Sequence, residues 1–289
     1  MKREIILIFF IILMSLPIRA GSGNYGAILD LEGSARWQAS GKTNLNLLES
    51  GNSLNNNPAG LYYLIFQDVN ITYSSIYSKV GGIDYGEINF CNATMKSSYG
   101  IGYSYFRIAG IREAVNDRLL GKEFEASLSN LKIAIATKLS DKIAIGMKMK
   151  YLRDTIKENT ISNLSSDIGL MINNNKKIKG SLLIKNIQLS AAEVDLPIII
   201  ESGISGKILD IITISGIIEI DSRKGKYFRI GGDYEISEKI GIQAGYLSKS
   251  KEITGGLSIN HNKIKIEYGM TLHRDLGLTH RMTLSIMKF

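Results

Sequence analysis

The sequence predicts an all-β protein, a transmembrane antiparallel β-barrel of about 14 strands. Three observations predict this fold class. The chain begins with an export signal, and from about residue 67 onward apolar and polar side chains alternate with a period of two. Short turn signals then separate the alternating runs at regular intervals over most of the 289 residues. An even strand count is also what closed bacterial barrels of this kind have.

Residues 1–20 have the composition of a secretory signal peptide. Lys2 and Arg3 give a positive start, residues 5–16 are almost continuously apolar, and small residues begin at Gly21. The apolar run is shorter than the roughly 20 residues that span a membrane as a helix. An uncleaved N-terminal anchor is the alternative. We therefore expect export to the cell envelope and cleavage close to the small residues.

Composition excludes several classes of protein. The net charge is +8, but the basic residues are scattered and form no block, so nucleic acid is not an expected partner. Cys91 is the one cysteine, so no internal disulfide can form. After residue 20 no stretch approaches 18 apolar residues, which argues against a helical membrane protein.

Residues 21–60 differ in composition from the rest of the chain. They are rich in Gly, Ser and Asn, and their apolar residues follow no sustained period. A short helix is expected near 44–49, and residues 51–60 have turn chemistry almost throughout. Pro58 biases Asn57 towards extended backbone, and Gly60 can supply a φ that other residues resist. A bend leading into the first strand is expected there; a solvated linker is the alternative.

Residues 67–289 are predicted to form the barrel. In residues 99–105, for example, Tyr and Ile alternate with Gly and Ser, a pattern that a helix of 3.6 residues per turn cannot place on one face. The predicted strands are 68–77, 83–95, 98–109, 123–138, 142–153, 163–173, 178–187, 197–206, 209–220, 226–236, 239–248, 252–260, 263–272 and 278–289.

A soluble sandwich also alternates, and three features favour a membrane barrel instead. The polar face is often Gly, Ala, Ser or a single charged residue, which suits a lumen. Tyrosines recur near strand ends, as in the aromatic girdles of barrels, at Tyr73, Tyr77, Tyr99, Tyr105, Tyr151, Tyr227, Tyr234 and Tyr246. The chain also ends on Phe289 directly after a strand-like run, although out of phase with the apolar residues of that run.

The alternation assigns individual residues to the two faces of the wall. Ile145 is expected to face lipid, and Gly146 to face the lumen and accept a small polar side chain such as Ser. Six polar residues are expected on the lumen side, namely Lys148, Lys150, Lys263, Lys265, Glu267 and Gln243.

No catalytic motif is present. His261 is expected in a turn, His273 at a strand end and His280 within the last strand, and no two have the spacing of a helical metal site. No nucleophile elbow occurs. A Ser/His pair across neighbouring strands stays open on sequence alone, but no enzyme activity, cofactor or metal is expected.

Residues 57–61 read Asn-Pro-Ala-Gly-Leu, and residues 276–281 read Leu-Gly-Leu-Thr-His-Arg at the start of the last strand. In chain order, these stretches resemble the FadL-like outer-membrane proteins and, within them, the PorV/PorQ family. Shorter matches to the same family lie at 33–36, 150–151 and 241–246. The residues that carry the resemblance most clearly are Asn57, Pro58, Ala59, Gly60, Gly277, Thr279, His280 and Arg281.

The resemblance implies a 14-stranded barrel whose residues 21–66 fold into the lumen as a hatch, seated by residues 57–60. It also implies an outer-membrane location, with membrane lipid, the barrel assembly machinery and secreted cargo or secretion-system proteins as expected partners. A role in type IX secretion or cargo attachment at the cell surface is ranked first. Passive transport of small hydrophobic compounds is the alternative, and a purely structural barrel is a third class. A polar lumen favours the first role and an apolar inner pocket the second.

Overall fold

Strand pairing in the computed structural model closes on itself. The structure describes residues 27–43, 50–65, 67–94, 97–115, 118–174, 177–189 and 195–288. The predicted signal peptide, the predicted helix at 44–49 and Phe289 lie outside these residues. Within them, every neighbouring pair of strands is antiparallel, and the last strand pairs with the first. The predicted fold class, a closed antiparallel barrel of 14 strands, is therefore confirmed.

The strands of the described chain follow one another around the barrel in sequence order. They are β1 Gln67–Ser75, β2 Ile83–Ala93, β3 Ser97–Val115, β4 Arg118–Ser140, β5 Ile143–Ile156, β6 Asn159–Asn174, β7 Ile178–Gln188, β8 Ile199–Ile208, β9 Ile212–Asp221, β10 Gly225–Glu235, β11 Ile240–Leu247, β12 Glu252–His261, β13 Ile264–His273 and β14 Gly277–Lys288.

Two predicted strands are much too short. The sequence predicts 98–109 and 123–138, whereas β3 and β4 have 19 and 23 residues and form a tall hairpin. Ion pairs join exposed side chains across its outer face, between Arg107 and Glu125 and between Arg112 and Glu123. None of the residues 109–113 and 123–125 in this part of the hairpin is buried, so the alternation that marks the other strands is missing there.

Smaller differences lie at other strand ends. Tyr77 was expected in a strand but lies in the turn after β1, at φ +55°. Pro197 was expected to begin a strand and lies just before β8, where its missing N–H removes no ladder hydrogen bond. His261 was expected in a turn and is the last residue of β12.

The two ends of the barrel can be distinguished by the chain itself. We call the end that holds the first residue of β1 and the last of β14 the near end, and the opposite one the far end. The tall hairpin and the turns after β1, β5, β9, β11 and β13 are at the far end. The short turns after β4, β8, β10 and β12 are at the near end.

The faces of the wall agree with the alternation. In β3 the expected outward residues Tyr99, Ile101, Tyr103 and Tyr105 are exposed, and the intervening Ser104 is buried. In β14 the outward set is Met282, Leu284 and Ile286, as the sequence predicts. The barrel thus carries an apolar belt outside and a polar wall inside.

The N-terminal segment fills the inside of the barrel, as the resemblance implies. We call its described residues, 27–43 and 50–65, the plug. It contains one short α-helix, α1 (Ala35–Ala39), and short 3-10 helices at Ala27–Leu31, Gly51–Leu54 and Pro58–Tyr63. Helix α1 packs against β11 to β14, and the last 3-10 helix against β2 to β6. Among the described residues, no helix is long and apolar enough to cross a membrane.

Candidate functional site

The predicted seating motif lies against the inner wall of the barrel. Asn57 has extended backbone, and its side chain caps the 3-10 helix Pro58–Tyr63 by accepting a hydrogen bond from the Ala59 N–H at 3.0 Å. Its Nδ2 donates to the backbone oxygens of Leu170 and Leu182 in β6 and β7, at 3.2 and 3.3 Å. One amide group therefore shapes the end of the plug and attaches it to two strands.

Two glycines form the recess that receives this motif. A Cβ at Gly146 in β5 would overlap Pro58 and Ala59, and a Cβ at Gly169 in β6 would overlap the Asn57 side chain. The expectation that Gly146 accepts Ser is therefore wrong. The residue does face the lumen, but the plug occupies the space that a side chain would need.

Gly60 is required for a reason other than the expected one. Its φ lies outside the left-handed region that the turn composition suggested. A Cβ there would lie 2.6 Å from Ser53 Oγ and 3.3 Å from Met171 Sδ, so close packing inside the plug and against β6 explains the glycine.

A buried arginine attaches the other part of the plug. Arg281 in β14 donates from its two terminal nitrogens to the backbone oxygens of Gly33 at 2.8 Å and Leu31 at 2.6 Å. Its guanidinium group lies 4.9 Å from the ring centre of Tyr85 in β2. Charged hydrogen bonds to backbone oxygens are stronger than neutral ones. Arg281 therefore holds the chain just before α1 in place.

The other residues of the last-strand motif have different positions. Gly277 begins β14 at φ +88°, and the hydroxyl of buried Thr279 accepts a hydrogen bond from the Tyr77 N–H at 3.2 Å. His280 faces outward, and its Nδ1 lies 2.7 Å from Tyr268 Oη. The structure therefore brings Asn57 to Gly60 and Arg281 to the plug-wall interface, and places His280 on the outer face.

One carboxylate of the plug lies in a buried polar cluster. Glu32 accepts hydrogen bonds from Ser104 at 2.6 Å and Asn130 at 2.7 Å, and its carboxylate is 3.5 Å from Lys132 Nζ. Lys132 also pairs with Glu87 at 2.9 Å. Burial alone would raise the pKa of Glu32, but the nearby ammonium groups and hydrogen bonds hold that pKa below its usual value.

A second cluster joins the plug to the far end. Asp30 lies 3.1 Å from Lys249 Nζ in the turn after β11, and Lys249 also pairs with Glu219 at 2.8 Å. Burial opposes the charge of Asp30, but Lys249 and Lys42 hold the Asp30 pKa below its usual value. Although burial acts in the other direction, Asp30 and Glu219 raise the pKa of Lys249. Both groups are therefore charged at neutral pH.

Lys42 is the exception among the plug cations. Its Nζ donates to the backbone oxygen of Asp30 at 2.7 Å and lies 5.2 Å from the ring centre of Trp37. Burial lowers the pKa of Lys42 to about 8, because the attraction of the Asp30 carboxylate offsets only part of the lost hydration. Lys42 therefore titrates close to physiological pH.

The expected polar residues of the lumen are mostly there. Lys148, Lys150, Lys265, Glu267 and Gln243 point inward, whereas Lys263 lies exposed in the near-end turn after β12, so that assignment was wrong. Strand residues alternate with a period of two, and Lys263 lies one position outside its strand.

Sequence reasoning missed the partners of these lysines. Asp167 in β6 pairs with Lys148 at 3.0 Å and with Lys150 at 2.7 Å. Glu201 in β8 similarly pairs with Arg229 at 2.7 Å. Asp167 and Glu201 are buried on the polar face of their strands, so the same alternation that identified the lysines could have identified these carboxylates.

The far half of the lumen is apolar on the side of β2 to β5. Six buried residues from the wall and far-end loops pack together there, and Leu29 and Leu31 of the plug pack against them. The six are Ile76, Tyr85, Phe106, Leu128, Leu152 and Leu196. The lumen therefore has an apolar cluster on one side of its far end, the charged cluster of Asp30 and Lys249 on the other side, and the ion pairs of Lys132 below the apolar side.

Two cavities border the plug. A void of about 30 Å³ lies between Asp30, Lys150 and Asp167. A larger cavity of about 440 Å³ opens at the near end, between Arg36 of the plug and residues of β10 to β12. The inner void has room for water but not for an organic compound, since a cavity of roughly 150 Å³ is needed to hold benzene. The 30 Å³ void therefore gives an organic compound no room beside the plug at this depth.

The described residues contain no cluster of His, Cys, Asp and Glu that could hold a metal ion. The three histidines lie at separate places: His261 at the near end, His273 at the far end of β13 and His280 on the outer face.

Several solved structures have a fold similar to that of this chain. The Pseudomonas putida toluene transporter TodX aligns with a TM-score of 0.64 at 10% identity, over 94% of this chain and 98% of that one. The fold is that of the FadL-type barrels. A Pseudomonas aeruginosa FadL homologue aligns over 88% of this chain and 97% of that one, with a TM-score of 0.61 at 9% identity.

A third FadL-type barrel extends the comparison. The CymD monoaromatic hydrocarbon channel aligns over 89% of this chain and 97% of that one, with a TM-score of 0.65 at 10% identity. No protein-family model matches the sequence, and no curated protein matches it. At these identities the likeness to FadL-type barrels is one of fold.

Proposed function

We propose that this chain is an outer-membrane channel for small, largely apolar compounds, and that the plug is its gate. The observation that carries the proposal is the apolar cluster at the far mouth of the lumen, packed against Leu29 and Leu31 of the plug. Apolar pockets with a few polar groups are the usual binding sites for small molecules. The proposal agrees with the solved neighbours, which include a toluene transporter and a hydrocarbon channel.

Passage requires the plug to move. The charged layer below the apolar cluster has a void of only about 30 Å³, where Glu32 pairs with Lys132 of the wall, while Asp30 pairs with Lys249 of a far-end turn. A compound bound among the far-mouth leucines would contact Leu29 and Leu31, which directly adjoin Asp30 and Glu32. We infer that binding at the mouth loosens these plug contacts.

Uptake of a labelled monoaromatic compound by cells expressing the chain tests this function, with a small sugar as the hydrophilic comparison. We expect Leu128→Gln and Leu152→Gln to lower aromatic uptake several-fold, because each places a polar amide in the apolar cluster. Leu183→Gln is the matched control, since Leu183 is equally buried but packs with Ile217 outside this cluster. Equal uptake by cells with and without the wild-type chain would contradict the proposal.

A secretion or cargo-attachment role remains the second candidate, supported by the sequence resemblance to the PorV/PorQ family. The stretches that carry the resemblance include Asn57 and Arg281, which hold the plug, and a plug serves either function. Surface protein content distinguishes the two roles. A transporter leaves cargo attachment unchanged when its gene is deleted, whereas a secretion component does not. Location in the outer membrane, insertion by the assembly machinery and cleavage of residues 1–20 belong to both proposals.

A further inference from the structure

The near-end rim of the barrel is rich in lysine. Among the described residues, its exposed or half-buried cations are Lys138, Lys142, Lys177, Lys179, Lys207, Lys239, Lys263 and Lys288. The carboxylates at the same rim are fewer, namely Asp141, Asp210, Glu235 and Glu238. The rim therefore has a clear excess of positive charge, distributed around most of the ring.

Much of that charge is not neutralised by neighbouring side chains. Lys138 pairs with Asp141, and Lys207 pairs with Glu235 at 3.4 Å. Within the described chain, no ion pair involves Lys142, Lys177, Lys239, Lys263 or Lys288. Five ammonium groups are thus available to an external anion.

The far end has a different charge pattern. Its cations are accompanied by carboxylates on the same strands and turns, as in the pairs Arg107–Glu125, Arg112–Glu123 and Lys157–Glu113. Lys249 is likewise surrounded by Asp30, Glu219 and Asp221. The excess of positive charge is therefore a property of one rim and not of the whole surface.

Exposed apolar side chains lie among the near-end lysines. Leu209, in the turn after β8, is 77% exposed, and Ile65, just before β1, is 75% exposed. Leu139, Ile178 and Ile236 next to the other near-end turns are also about half exposed or more. Leaving such side chains in water costs about 25 cal/mol for each Å². The near-end turns therefore fit the boundary between acyl chains and headgroups.

We propose that the near-end rim binds the headgroups of anionic phospholipids in the adjacent membrane leaflet. Leucine and isoleucine side chains of the turns enter the acyl region, and the long lysine side chains extend to the phosphates beside them. Anionic lipid attracts lysines near the membrane surface, and the attraction weakens with salt. The inference rests on the membrane location proposed above and not on the compound that the channel carries.

Spin-labelled lipids test the inference in vesicles of phosphatidylcholine that contain the full barrel. We expect the wild-type barrel to associate preferentially with labelled phosphatidylglycerol over labelled phosphatidylcholine. In a variant with Lys142→Gln, Lys177→Gln, Lys239→Gln and Lys263→Gln, the preference for phosphatidylglycerol should be at least about threefold weaker than in the wild type. High salt should lower the wild-type preference in the same direction.

A matched variant removes the same charge at the far end, through Lys79→Gln, Lys224→Gln, Lys226→Gln and Lys251→Gln. We expect it to keep the wild-type preference. An equal loss of lipid preference in the two variants would show that the preference depends on the net charge of the barrel and not on the near-end rim, which overturns the inference. An unchanged preference in the near-end variant also overturns it and leaves an acidic protein as the chemistry that the rim would fit. Lipid selectivity is read separately from uptake, so a barrel that inserts but carries no aromatic compound still decides this question.

Discussion

Gly146 shows how a single residue is set by a contact that its own strand does not reveal. It lies on the polar face of β5, where a small hydroxyl would ordinarily be accepted. The backbone of Pro58 and Ala59 lies against it, so the absence of a side chain is what lets the plug reach the wall. Asn57 and Arg281 act at the same scale, because each attaches the plug through hydrogen bonds to backbone oxygens.

Gly146→Ser should loosen the plug by about 1–3 kcal/mol, the usual cost of overpacking a filled site. Trp37 is the one tryptophan of the chain and lies buried in the plug, so its fluorescence during a urea titration reports plug release. Gly206→Ser is the control, because a Cβ at Gly206 meets open space. Identical Trp37 transitions in the two variants would contradict the close packing of Pro58 and Ala59 against Gly146.

Lys42 should make plug stability depend on pH. Its pKa of about 8 in the folded protein lies below the usual value near 10.5, so the folded state binds fewer protons than the unfolded state between these two values. Stability should therefore rise by up to about 3 kcal/mol as the pH increases from 8 towards 10. Trp37 fluorescence in urea at pH 7 and pH 9.5 measures this. Lys42→Met should remove the rise, and a rise of the same size in that variant would assign it to another group.

At the scale of the element, β5 illustrates how one strand meets three environments. Its middle faces lipid on one side and the plug on the other, while its far end rises towards the solvated hairpin region. Met149 and Thr155 both lie on the outward face of this strand, Met149 in its middle and Thr155 beside the far-end turn. Depth along the strand, which period-two alternation does not encode, separates them.

Met149→Arg should destabilise the folded barrel by about 2–4 kcal/mol, because Met149 faces outward at the middle of β5, where a charged side chain on the lipid face is costly. Thr155→Arg, on the same face beside the far-end turn at Lys157, should cost under about 1 kcal/mol. Folding titrations into lipid vesicles measure both. A larger cost at Thr155 would mean that the membrane belt lies at a different height on β5.

At the scale of the whole molecule, the barrel and the plug depend on each other's shape. The wall has recesses at Gly146 and Gly169 that hold residues 57–59 of the plug. On the other side, Gly245 lies against the backbone that follows α1, and Gly256 lies against the Ala39 side chain. Glu32 then pairs with Lys132 of the wall, and Asp30 with Lys249 of a far-end turn. A closed lumen therefore results from both parts together.

Deletion of residues 27–56 should raise the ion conductance of reconstituted barrels well above that of the wild type, because the described plug occupies the lumen between its two mouths. Single-channel recording measures this. Asn57→Ala together with Arg281→Met should give an intermediate result, with frequent opening events, since both attachments are lost. Unchanged conductance after the deletion would contradict a plug that closes the lumen.

The parts of the fold that could be predicted are those encoded by neighbouring residues. Alternation identified the strands, as in residues 99–105 of β3, and turn signals gave the strand number. The tall β3–β4 hairpin was underestimated because residues 109–113 and 123–125 are not buried and show no apolar period. Asn57 and Arg281 were singled out by motif, but their hydrogen-bond partners were not, since no local pattern connects them to Leu170 or Gly33.

The sequence by itself determined the barrel, its approximate strand number, the apolar outer face and the polar inner face, because each depends only on side chains two residues apart. Tertiary structure decided which inner residues meet. Arg281 and Gly33 are 248 positions apart, and Lys249 and Asp30 are 219 apart. Closure of β1 on β14 brings such residues to one depth of the lumen, where low water content makes each charge require a partner. Alternation gives a side chain its face, but only the closed barrel gives it a height and a neighbour.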